Sequence, residues 1–352
     1  MNAGPDILGE DYEALVLPMG HDAEGEVVAT LVRRLVAGAR RAVLYIHGFT
    51  DYFFQTHVAD HYVRQGISFY ALDLRKYGRS LLAHQTRGLV GSVTEHFPEI
   101  DEAVRIVRAD HDELVISAHS TGGLIAALWA DRVRGRGLAD ALVLNSPFLD
   151  LNVPALARGA ADALGGLLAR LPATAVLPLG AATAYGTSLH RDHSGEWEYD
   201  LGWKPLGGFP VHAVWLAAIR RAHRRLHAGL GVDVPVLVLC SDRGLRVRDF
   251  VPEAHSADVV LDPGQIARWS TRIGPHVTCV RVPGGMHDLL LSAAPVRERV
   301  LAEIDRWLAY AAPGAPPSPP EHGHEAHGRP GNGLRESAHP GNGHQGKANS
   351  PK

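Results

Sequence analysis

Short runs of consecutive apolar, β-prone residues recur along the chain and are separated by stretches with helical spacing. The runs predict strands at Ala42–Ile46, Ser68–Leu72, Leu114–Ala118, Ala141–Leu144, Pro235–Cys240 and Val277–Val282. The helical spacing predicts helices at His57–Gln65, Glu99–Asp110, Gly122–Arg134, Pro263–Thr271 and Val296–Ala311. Continuous apolar strands between helices are typical of a parallel sheet covered on both faces. With right-handed crossovers, the pattern predicts an α/β fold with a doubly wound, mostly parallel sheet.

The alternation stops at about Pro147 and resumes at Val234. We interpret the interval as a mainly helical insertion that lies over one end of the sheet. It begins with an Ala- and Leu-rich part, continues with the polar and aromatic stretch Thr187–Lys204, and ends with a predicted helix at Val211–His227. That helix carries an arginine run, which we interpret as a solvated face: Arg220, Arg221, Arg224 and Arg225.

The composition changes after about Ala312, where large apolar residues almost disappear. A segment rich in Pro, Gly and His buries too little surface to offset its chain entropy, so we predict a disordered tail at residues 313–352. We favour a linker-like role for it over metal binding by its histidines. The predicted organisation is therefore a core made of residues 1–146 and 232–312, a cap insertion at 147–231, and this tail.

Composition excludes several classes of protein. The 352 residues are 45% hydrophobic and carry a formal net charge of -3, so we expect a large core and no nucleic-acid partner. Met1–Glu10 has no signal-peptide pattern, and no run of about 18 apolar residues predicts a membrane span, so we expect a cytoplasmic protein. We interpret Cys240 and Cys279 as buried, reduced thiols, and we expect no metal or organic cofactor.

Ser120 is the candidate nucleophile. It lies in the sequence Ala118-His119-Ser120-Thr121-Gly122, between a predicted strand and a predicted helix. Such a sharp turn needs small neighbours and places the serine hydroxyl at the end of the sheet, which is typical of a nucleophile elbow. The N-terminal N–H groups of the following helix favour negative charge at this position.

A serine hydroxyl needs a base and an acid that orients the base, and in this fold they follow the serine in the chain. His287 lies in the loop after the last predicted strand and is the candidate base. Two carboxylates follow the preceding strand at different distances, Asp242 and Asp258, and either could fold back to His287. Asp262, before Pro263, is typical of a helix N-cap.

The oxyanion hole requires two backbone donors. We expect them to be the N–H groups of Thr121, which follows the nucleophile, and of Phe49, in the loop after an early strand. His47 in that loop is interpreted as structural. Asp73 and Arg75, which follow another strand, are interpreted as residues that fix their loop through hydrogen bonds.

These motifs together resemble the monoacylglycerol lipase and lysophospholipase branch of the α/β-hydrolases, which is sometimes grouped with the serine aminopeptidases. His47–Tyr52 is similar to the His-Gly loop of that branch. Tyr70–Ser80 is similar to its ALDLRGHGRS segment, from which Lys76 and Tyr77 depart, and Gly284–Asp288 is similar to its Gly-x-x-His-Glu loop. The resemblance covers roughly residues 42–145 and 234–308.

The resemblance also bears on the acid and on the insertion. The acid of that branch usually lies in an Ala-Asp-Arg-x-x-Asp-Pro segment, which Ala257–Pro263 matches better than the sequence around Asp242 does. The resemblance therefore implies Asp258. It also implies an insertion that serves as a lid over an acyl-chain groove, although the polar stretch Thr187–Lys204 departs from the lid of a long-chain lipase.

The expected function is a serine hydrolase that cleaves carboxylic esters through an acyl-enzyme, with a small-molecule substrate that includes lipid-like esters. A peptidase or amidase would use the same triad, and the sequence does not separate the two. A non-catalytic binding protein on the same fold is the third hypothesis, which the presence of serine, histidine and aspartate disfavours.

Overall fold

Nine strands form a single sheet in the computed structural model, which describes residues 3–153, 171–179 and 182–311. The strands are β1 (Ala3–Asp6), β2 (Gly9–Asp22), β3 (Gly25–Arg34), β4 (Arg41–Ile46), β5 (Ser68–Asp73), β6 (Glu113–His119), β7 (Ala141–Asn145), β8 (Val236–Ser241) and β9 (Val277–Val282). Their order across the sheet is β1-β2-β3-β5-β4-β6-β7-β8-β9. The pairs β1–β2, β2–β3 and β3–β5 are antiparallel, and the pairs β5–β4, β4–β6, β6–β7, β7–β8 and β8–β9 are parallel.

The helices cover both faces of this sheet. They are α1 (Thr56–Val63), α2 (Phe97–Asp110), α3 (Thr121–Arg132), α4 (Ala184–Leu189), α5 (Ala213–His227), α6 (Pro263–Ser270) and α7 (Ala294–Ala311). Short 3₁₀ turns lie at Gly78–Ser80, Val93–His96, Pro252–Ser256 and Leu289–Leu291. Helices α1 and α7 pack in one apolar cluster, while α2, α3, α5 and α6 pack in another on the opposite face. Side chains of β4 alternate between the two clusters, as the period of two in a strand requires. The predicted doubly wound, mostly parallel α/β sheet is confirmed.

The predicted strands correspond to β4 through β9, but the sequence analysis assigned no strand before Ala42. In β2, Leu15 and Leu17 are buried in one apolar cluster, and their neighbours Ala14, Val16 and Pro18 are half-buried or exposed. A strand that is covered on one face alternates between apolar and polar residues, so it does not show a continuous apolar run. This pattern accounts for β2, whereas Val27–Val32 of β3 form a mostly apolar run that is buried throughout.

Between β7 and β8 the structure describes α4, α5 and the turns around them. Two isolated bridges, Val176 to His212 and His190 to Trp197, hold these turns together. Residues 154–170, which include most of the Ala- and Leu-rich part, lie outside the described residues. Residues 180–181 and the predicted tail at 313–352 lie outside them as well. The limits of the insertion and the nature of the tail therefore stay predictions.

One arginine of α5 differs from the expectation of a solvated face. Arg221, Arg224 and Arg225 are exposed, but Arg220 is buried and its guanidinium donates to Asp150 at 2.9 Å. Asp150 lies in the loop after β7 and is buried too. Burying a guanidinium without a partner costs a large desolvation free energy, and here the carboxylate of the loop offsets that cost.

Cys279 differs from the sequence prediction as well. Cys240 is buried, but Cys279 is exposed because β9 is the edge strand of the sheet and its face is only partly covered. The N-cap prediction for Asp262 is confirmed, since its carboxylate accepts the Gly264 N–H at 2.9 Å at the start of α6. No helix among the described residues combines the length and the apolar composition that crossing a membrane would need.

Candidate active site

Ser120 lies on the turn between β6 and α3. Its backbone has φ 52° and ψ -118°, a left-handed conformation that a non-glycine residue rarely adopts. The Ser120 N–H donates to the carbonyl of Asn145 at 3.0 Å, and the Ser120 carbonyl accepts the N–H of Phe148 at 2.9 Å. These two bonds to the end of β7 hold the turn, and the Ser120 side chain lines a cavity. The elbow expected from the sequence has this geometry.

Glycines allow two neighbouring loops to press against this turn. A Cβ on Gly122 would lie 2.3 Å from the carbonyl oxygen of His47, and one on Gly123 would lie 2.8 Å from the Pro147 Cβ. On the other side of the contact, a Cβ on Gly48 would lie 3.0 Å from the Ser120 Cβ. The loops after β4 and β7 can therefore approach the serine only because these positions lack a side chain.

A hydrogen-bonded chain joins the three predicted triad residues. His287 Nε2 lies 3.0 Å from Ser120 Oγ, and His287 Nδ1 lies 2.9 Å from Asp258 Oδ2. The other carboxylate oxygen of Asp258 accepts the N–H groups of Val260 and Leu261 at 2.8 and 2.7 Å. Asp258, His287 and Ser120 are all buried. The carboxylate is fixed by these bonds and can in turn fix the imidazole.

Asp258 is far from β8 along the chain, yet it lies beside the end of that strand. The long loop returns through an isolated bridge between Gly244 and Asp258, in which the Asp258 N–H donates to the Arg243 carbonyl at 2.9 Å. Asp242, the alternative acid, is exposed and accepts the Gly284 N–H at 3.3 Å. Of the two candidate carboxylates, the one that contacts His287 is therefore Asp258.

The two expected oxyanion donors, Phe49 and Thr121, border the same cavity as Ser120. Within the described part of the chain, neither backbone N–H has an acceptor. Thr121 is the first residue of α3, where the helix leaves its N–H groups unpaired. Both N–H groups are thus available to an oxygen atom bound beside Ser120.

His47 supports the loop that carries Phe49. Its Nε2 accepts the Leu74 N–H at 3.0 Å, so Nδ1 carries the proton and donates to the Gly48 carbonyl at 2.7 Å. Complete burial lowers the pKa of His47, which keeps the ring neutral. This arrangement agrees with the structural role that we predicted for it.

Asp73 and Arg75 fix the loop after β5, as predicted. The Asp73 carboxylate accepts the Phe53 N–H at 2.9 Å and the Arg79 guanidinium at 2.8 Å. The Arg75 guanidinium binds the buried carboxylate of Glu99. Both charges are therefore satisfied inside the protein and are not directed at a substrate.

A buried polar cluster that the sequence analysis did not identify lies beside the triad. Lys204 Nζ donates to Asp51 Oδ1 at 2.5 Å, and the Asn145 amide donates to Asp288 Oδ1 at 2.6 Å. Burial alone would raise the pKa of Asp288, but His119, Lys204 and the Asn145 amide outweigh it and lower that pKa. Burial lowers the pKa of His119, whose ring centre lies 4.8 Å from that of His287.

Three members of this cluster also bear on metal binding. Asp51, His119 and Asp288 each offer a ligand atom, and the three atoms lie within 4.8 Å of one another. The ammonium of Lys204 already neutralises Asp51, and an ammonium beside a carboxylate repels a second cation. These residues therefore suit a hydrogen-bonded cluster better than a metal site.

The cavity next to Ser120 and His287 has a volume of about 680 Å³. Its walls are mainly apolar and aromatic, including Phe49, Phe148, Val176, Leu177, Leu179, Phe209, Val211, Trp215, Val259 and Val260. Besides Ser120 and His287, the polar residues of its lining include Asp51, His119, Asn152, Tyr185, Lys204 and Arg248. The Tyr185 ring packs edge-on against His287 at 5.4 Å, and burial raises the pKa of the Tyr185 hydroxyl.

Of the polar residues near the triad, Asp51 lies in the same sequence motif as His47, and His119 directly precedes Ser120. Their positions in these motifs are the signal that could identify them from the sequence. Lys204 and Tyr185 lie in the insertion, where the sequence has no regular spacing and no local signal marks them.

The comparisons with known proteins agree with this architecture. The model of the family described as "Serine aminopeptidase, S33" matches residues 37–293. Monoglyceride lipase from Saccharomyces cerevisiae, in complex with a substrate analog, is similar in structure with a TM-score of 0.61 and 17% identity over 84% of this chain and 95% of that chain. A thermostable carboxyl esterase from Bacillus coagulans, in complex with glycerol, gives a TM-score of 0.59 and 14% identity over 86% and 99% of the two chains.

Monoacylglycerol lipase from Paleococcus ferrophilus gives a TM-score of 0.56 and 19% identity over 80% of this chain and 98% of that chain. The sequence comparison with curated proteins gave no match. At these identities the solved structures establish a shared fold, whereas the family model covers well over half of the chain. The resemblance found in the sequence is confirmed: the chain has the α/β-hydrolase fold and belongs to the serine aminopeptidase S33 family.

Proposed function

We propose that this protein is a serine hydrolase that cleaves carboxylic esters through an acyl-enzyme, similar in chemistry to monoacylglycerol lipases and lysophospholipases. Ser120 is the nucleophile, His287 the general base and Asp258 the acid that orients it. The observation that carries the proposal is the continuous chain of hydrogen bonds from Ser120 Oγ through the imidazole of His287 to Asp258 Oδ2, at 3.0 and 2.9 Å.

The first half-reaction forms the acyl-enzyme. His287 Nε2 takes the proton of Ser120 as Oγ attacks the ester carbonyl carbon. The carbonyl oxygen becomes an oxyanion that the N–H groups of Phe49 and Thr121 stabilise, helped by the N-terminus of α3. When the tetrahedral intermediate collapses, the bond to the alcohol oxygen breaks and His287 gives that oxygen its proton.

The second half-reaction releases the acid. A water molecule loses a proton to His287 and attacks the acyl carbon, and the second tetrahedral intermediate returns the proton to Ser120 as the carboxylic acid leaves. Asp258 stabilises the imidazolium that forms in each half-reaction and keeps the proton of the neutral ring on Nδ1. No step needs a metal or an organic cofactor.

The lining of the cavity favours esters over amino-terminal peptides. Mainly apolar walls suit an apolar acyl group, including a lipid-like one. Recognition of a free amino terminus needs an available carboxylate. Asp51 is the carboxylate that lines the described cavity, and Lys204 already pairs with it. The paired carboxylate disfavours peptidase activity. Peptidase activity is the second candidate because the matching family is described as serine aminopeptidases.

The proposal is tested with p-nitrophenyl esters of graded acyl length and with a fluorophosphonate probe. Wild-type protein should hydrolyse the esters and become labelled, and Ser120→Ala should lose both by at least about 10³-fold, since the nucleophile is absent. Ser270→Ala is the matched control, because this buried hydroxyl donates to the nearby Ala267 carbonyl at 2.9 Å, lies in α6 and is not among the residues that line the described cavity. Turnover or labelling that persists in Ser120→Ala would contradict the assignment of Ser120 as the nucleophile.

The same assays separate the candidates. Faster turnover of amino-acyl p-nitroanilides than of any ester would favour the peptidase. A wild-type protein that neither turns over esters or anilides nor reacts with the probe would favour a non-catalytic binding protein. A rate that peaks with long acyl chains would specify a lipase, and a rate confined to short chains would specify a short-chain esterase.

A further inference from the structure

Residues of the insertion contact nearly every residue of the oxyanion loop, defined here as Phe49–Phe54. The two segments run in opposite directions, so later residues of the insertion contact earlier residues of the loop. Phe54 packs against Tyr199, with ring centres 5.0 Å apart. The Tyr52 hydroxyl accepts the Asp200 N–H at 2.8 Å, and the Tyr52 ring packs edge-on against Trp203 at 5.1 Å. These contacts come from the polar and aromatic stretch that the sequence showed to be unlike a lipase lid.

The contacts continue toward the catalytic end of the loop. Asp51 accepts a hydrogen bond from Lys204, and Thr50 Oγ1 accepts the Phe209 N–H at 2.9 Å. The Phe49 ring packs at 5.8 Å from Phe209. It also lies 4.2 Å from Trp215, between ring centres. The aromatic residues Tyr199 and Trp203 contact the loop and are not among the residues that line the described cavity.

The loop needs such support because of its backbone. Thr50, directly after the proposed oxyanion donor, has φ 54°, a left-handed conformation that a non-glycine residue adopts only where its surroundings impose it. Asp51, the next residue, is 1% exposed, and Lys204 is 6% exposed. A buried carboxylate is stable only with a partner, so the ion pair fixes where the backbone of Asp51 can lie.

We propose that Lys204 is a positioning residue for the oxyanion hole: through Asp51 it holds the Phe49 N–H where the oxyanion forms. The inference rests on the proposed function. In this proposal Lys204, which also lines the cavity, acts through the loop, so the insertion is part of the catalytic scaffold as well as a cover for the cavity.

The experiment compares Lys204→Met, Lys204→Arg, Asp51→Asn and the double variant Lys204→Met with Asp51→Asn. Lys204→Met should lower kcat by roughly 10- to 100-fold and leave KM within about twofold. A misplaced donor stabilises the transition state less well and leaves binding of the substrate in the ground state unchanged. Lys204→Arg retains the charge and should restore most of kcat. The double variant leaves no buried charge without a partner, so it should stay folded while kcat stays low.

A transition-state analogue reports directly on the oxyanion hole. Ser120 Oγ adds to the carbonyl carbon of a trifluoromethyl ketone, its proton passes to His287, and the carbonyl oxygen becomes the oxyanion. The inhibition constant of this ketone should rise across the variants by the same factor by which kcat/KM falls. Arg191→Met is the control, because Arg191 forms an exposed ion pair with Glu198 in the same part of the insertion. That control should match wild type.

The outcomes distinguish the two proposals. Wild-type protein that does not hydrolyse esters or react with a fluorophosphonate overturns the proposed function, and the role of Lys204 with it. With active wild type, a folded double variant of normal kcat overturns the role of Lys204 alone. A variant series in which KM rises at constant kcat overturns it as well, since Lys204 would then contact the substrate.

Discussion

At the scale of single residues, the candidate site depends on positions with little freedom. Ser120 occupies a left-handed conformation, and the carbonyl of His47 lies where a side chain on Gly122 would begin. The strain and the close approach serve one end, which is to bring the serine, the oxyanion loop and the imidazole together. Two substitutions test this dependence, one at the proposed acid and one at a glycine of the elbow.

Asp258→Asn should lower kcat by roughly 10³- to 10⁴-fold with little change in KM. An amide lacks the charge that stabilises the imidazolium, and its NH₂ group can force the His287 ring into the wrong tautomer. Asp242 is the exposed carboxylate that the residues alone offered as the alternative acid, and the kcat of Asp242→Asn should stay within about twofold of wild type. Steady-state kinetics with a p-nitrophenyl ester measures both. Equal losses in the two variants would contradict the assignment of the acid.

Gly122→Ala should lower the free energy of unfolding by about 1–3 kcal/mol and lower kcat, since the new Cβ would force the elbow away from the His47 carbonyl. Urea unfolding and ester turnover measure the two effects. Gly4→Ala is the control, because no heavy atom lies within 4 Å of the position its Cβ would take. A Gly122→Ala variant as stable and active as wild type would mean that the close contact does not shape the site.

At the scale of elements, α5 joins the insertion to the loop after β7 through a histidine and an arginine. His223 Nε2 donates to the Phe148 carbonyl at 2.8 Å, and His223 Nδ1 accepts from the Arg220 guanidinium at 3.2 Å. Burial, with a smaller effect of Arg220, lowers the pKa of His223 to about 3. The ring is therefore neutral in the folded protein at neutral pH.

This histidine should make the protein less stable in mild acid. Between its ordinary pKa of 6.5 and its folded pKa of about 3, the unfolded chain binds a proton that the folded chain does not. The contribution is thus fully present above pH 6.5 and is lost as pH falls, by at most about 1.4 kcal/mol per pH unit. His223→Gln, which can still donate to the Phe148 carbonyl, should show a shallower decline between pH 6.5 and 4.5.

Urea unfolding at a series of pH values measures that slope. Arg221→Gln, on the exposed face of α5, is the matched control, because arginine stays charged throughout this range and its replacement should keep the wild-type slope. Parallel slopes for His223→Gln and wild type would contradict a buried, neutral His223.

At the scale of the whole molecule, the sheet brings distant parts of the chain to one edge. Parallel strands β4, β6, β8 and β9 all end on the side where the loops with Phe49, Ser120, Asp258 and His287 lie. The insertion then covers this edge and contacts the oxyanion loop. Residues more than 150 positions apart, such as Asp51 and Lys204, become direct partners there.

Much of the fold and of the candidate site can be predicted from the residues alone. Continuous apolar runs mark β4 to β8 because both faces of those strands are buried, and the order of serine, aspartate and histidine follows from the order of the strands. The local turn chemistry around Ser120 and the cap at Asp262 could also be predicted, since each depends on neighbours within a few residues.

The remaining features depend on long-range contacts. The resemblance implies Asp258, but its contact with His287 arises because its loop folds back on Gly244, and loop closure over such a span leaves no local pattern. Arg220 is buried because a partner from the loop after β7 is present, and Cys279 is exposed because β9 has no outer neighbour. The pairing of Lys204 with Asp51 likewise exists only after the insertion has packed on the sheet. Local sequence encodes propensity and period, whereas long-range contacts depend on which surfaces the completed fold brings together.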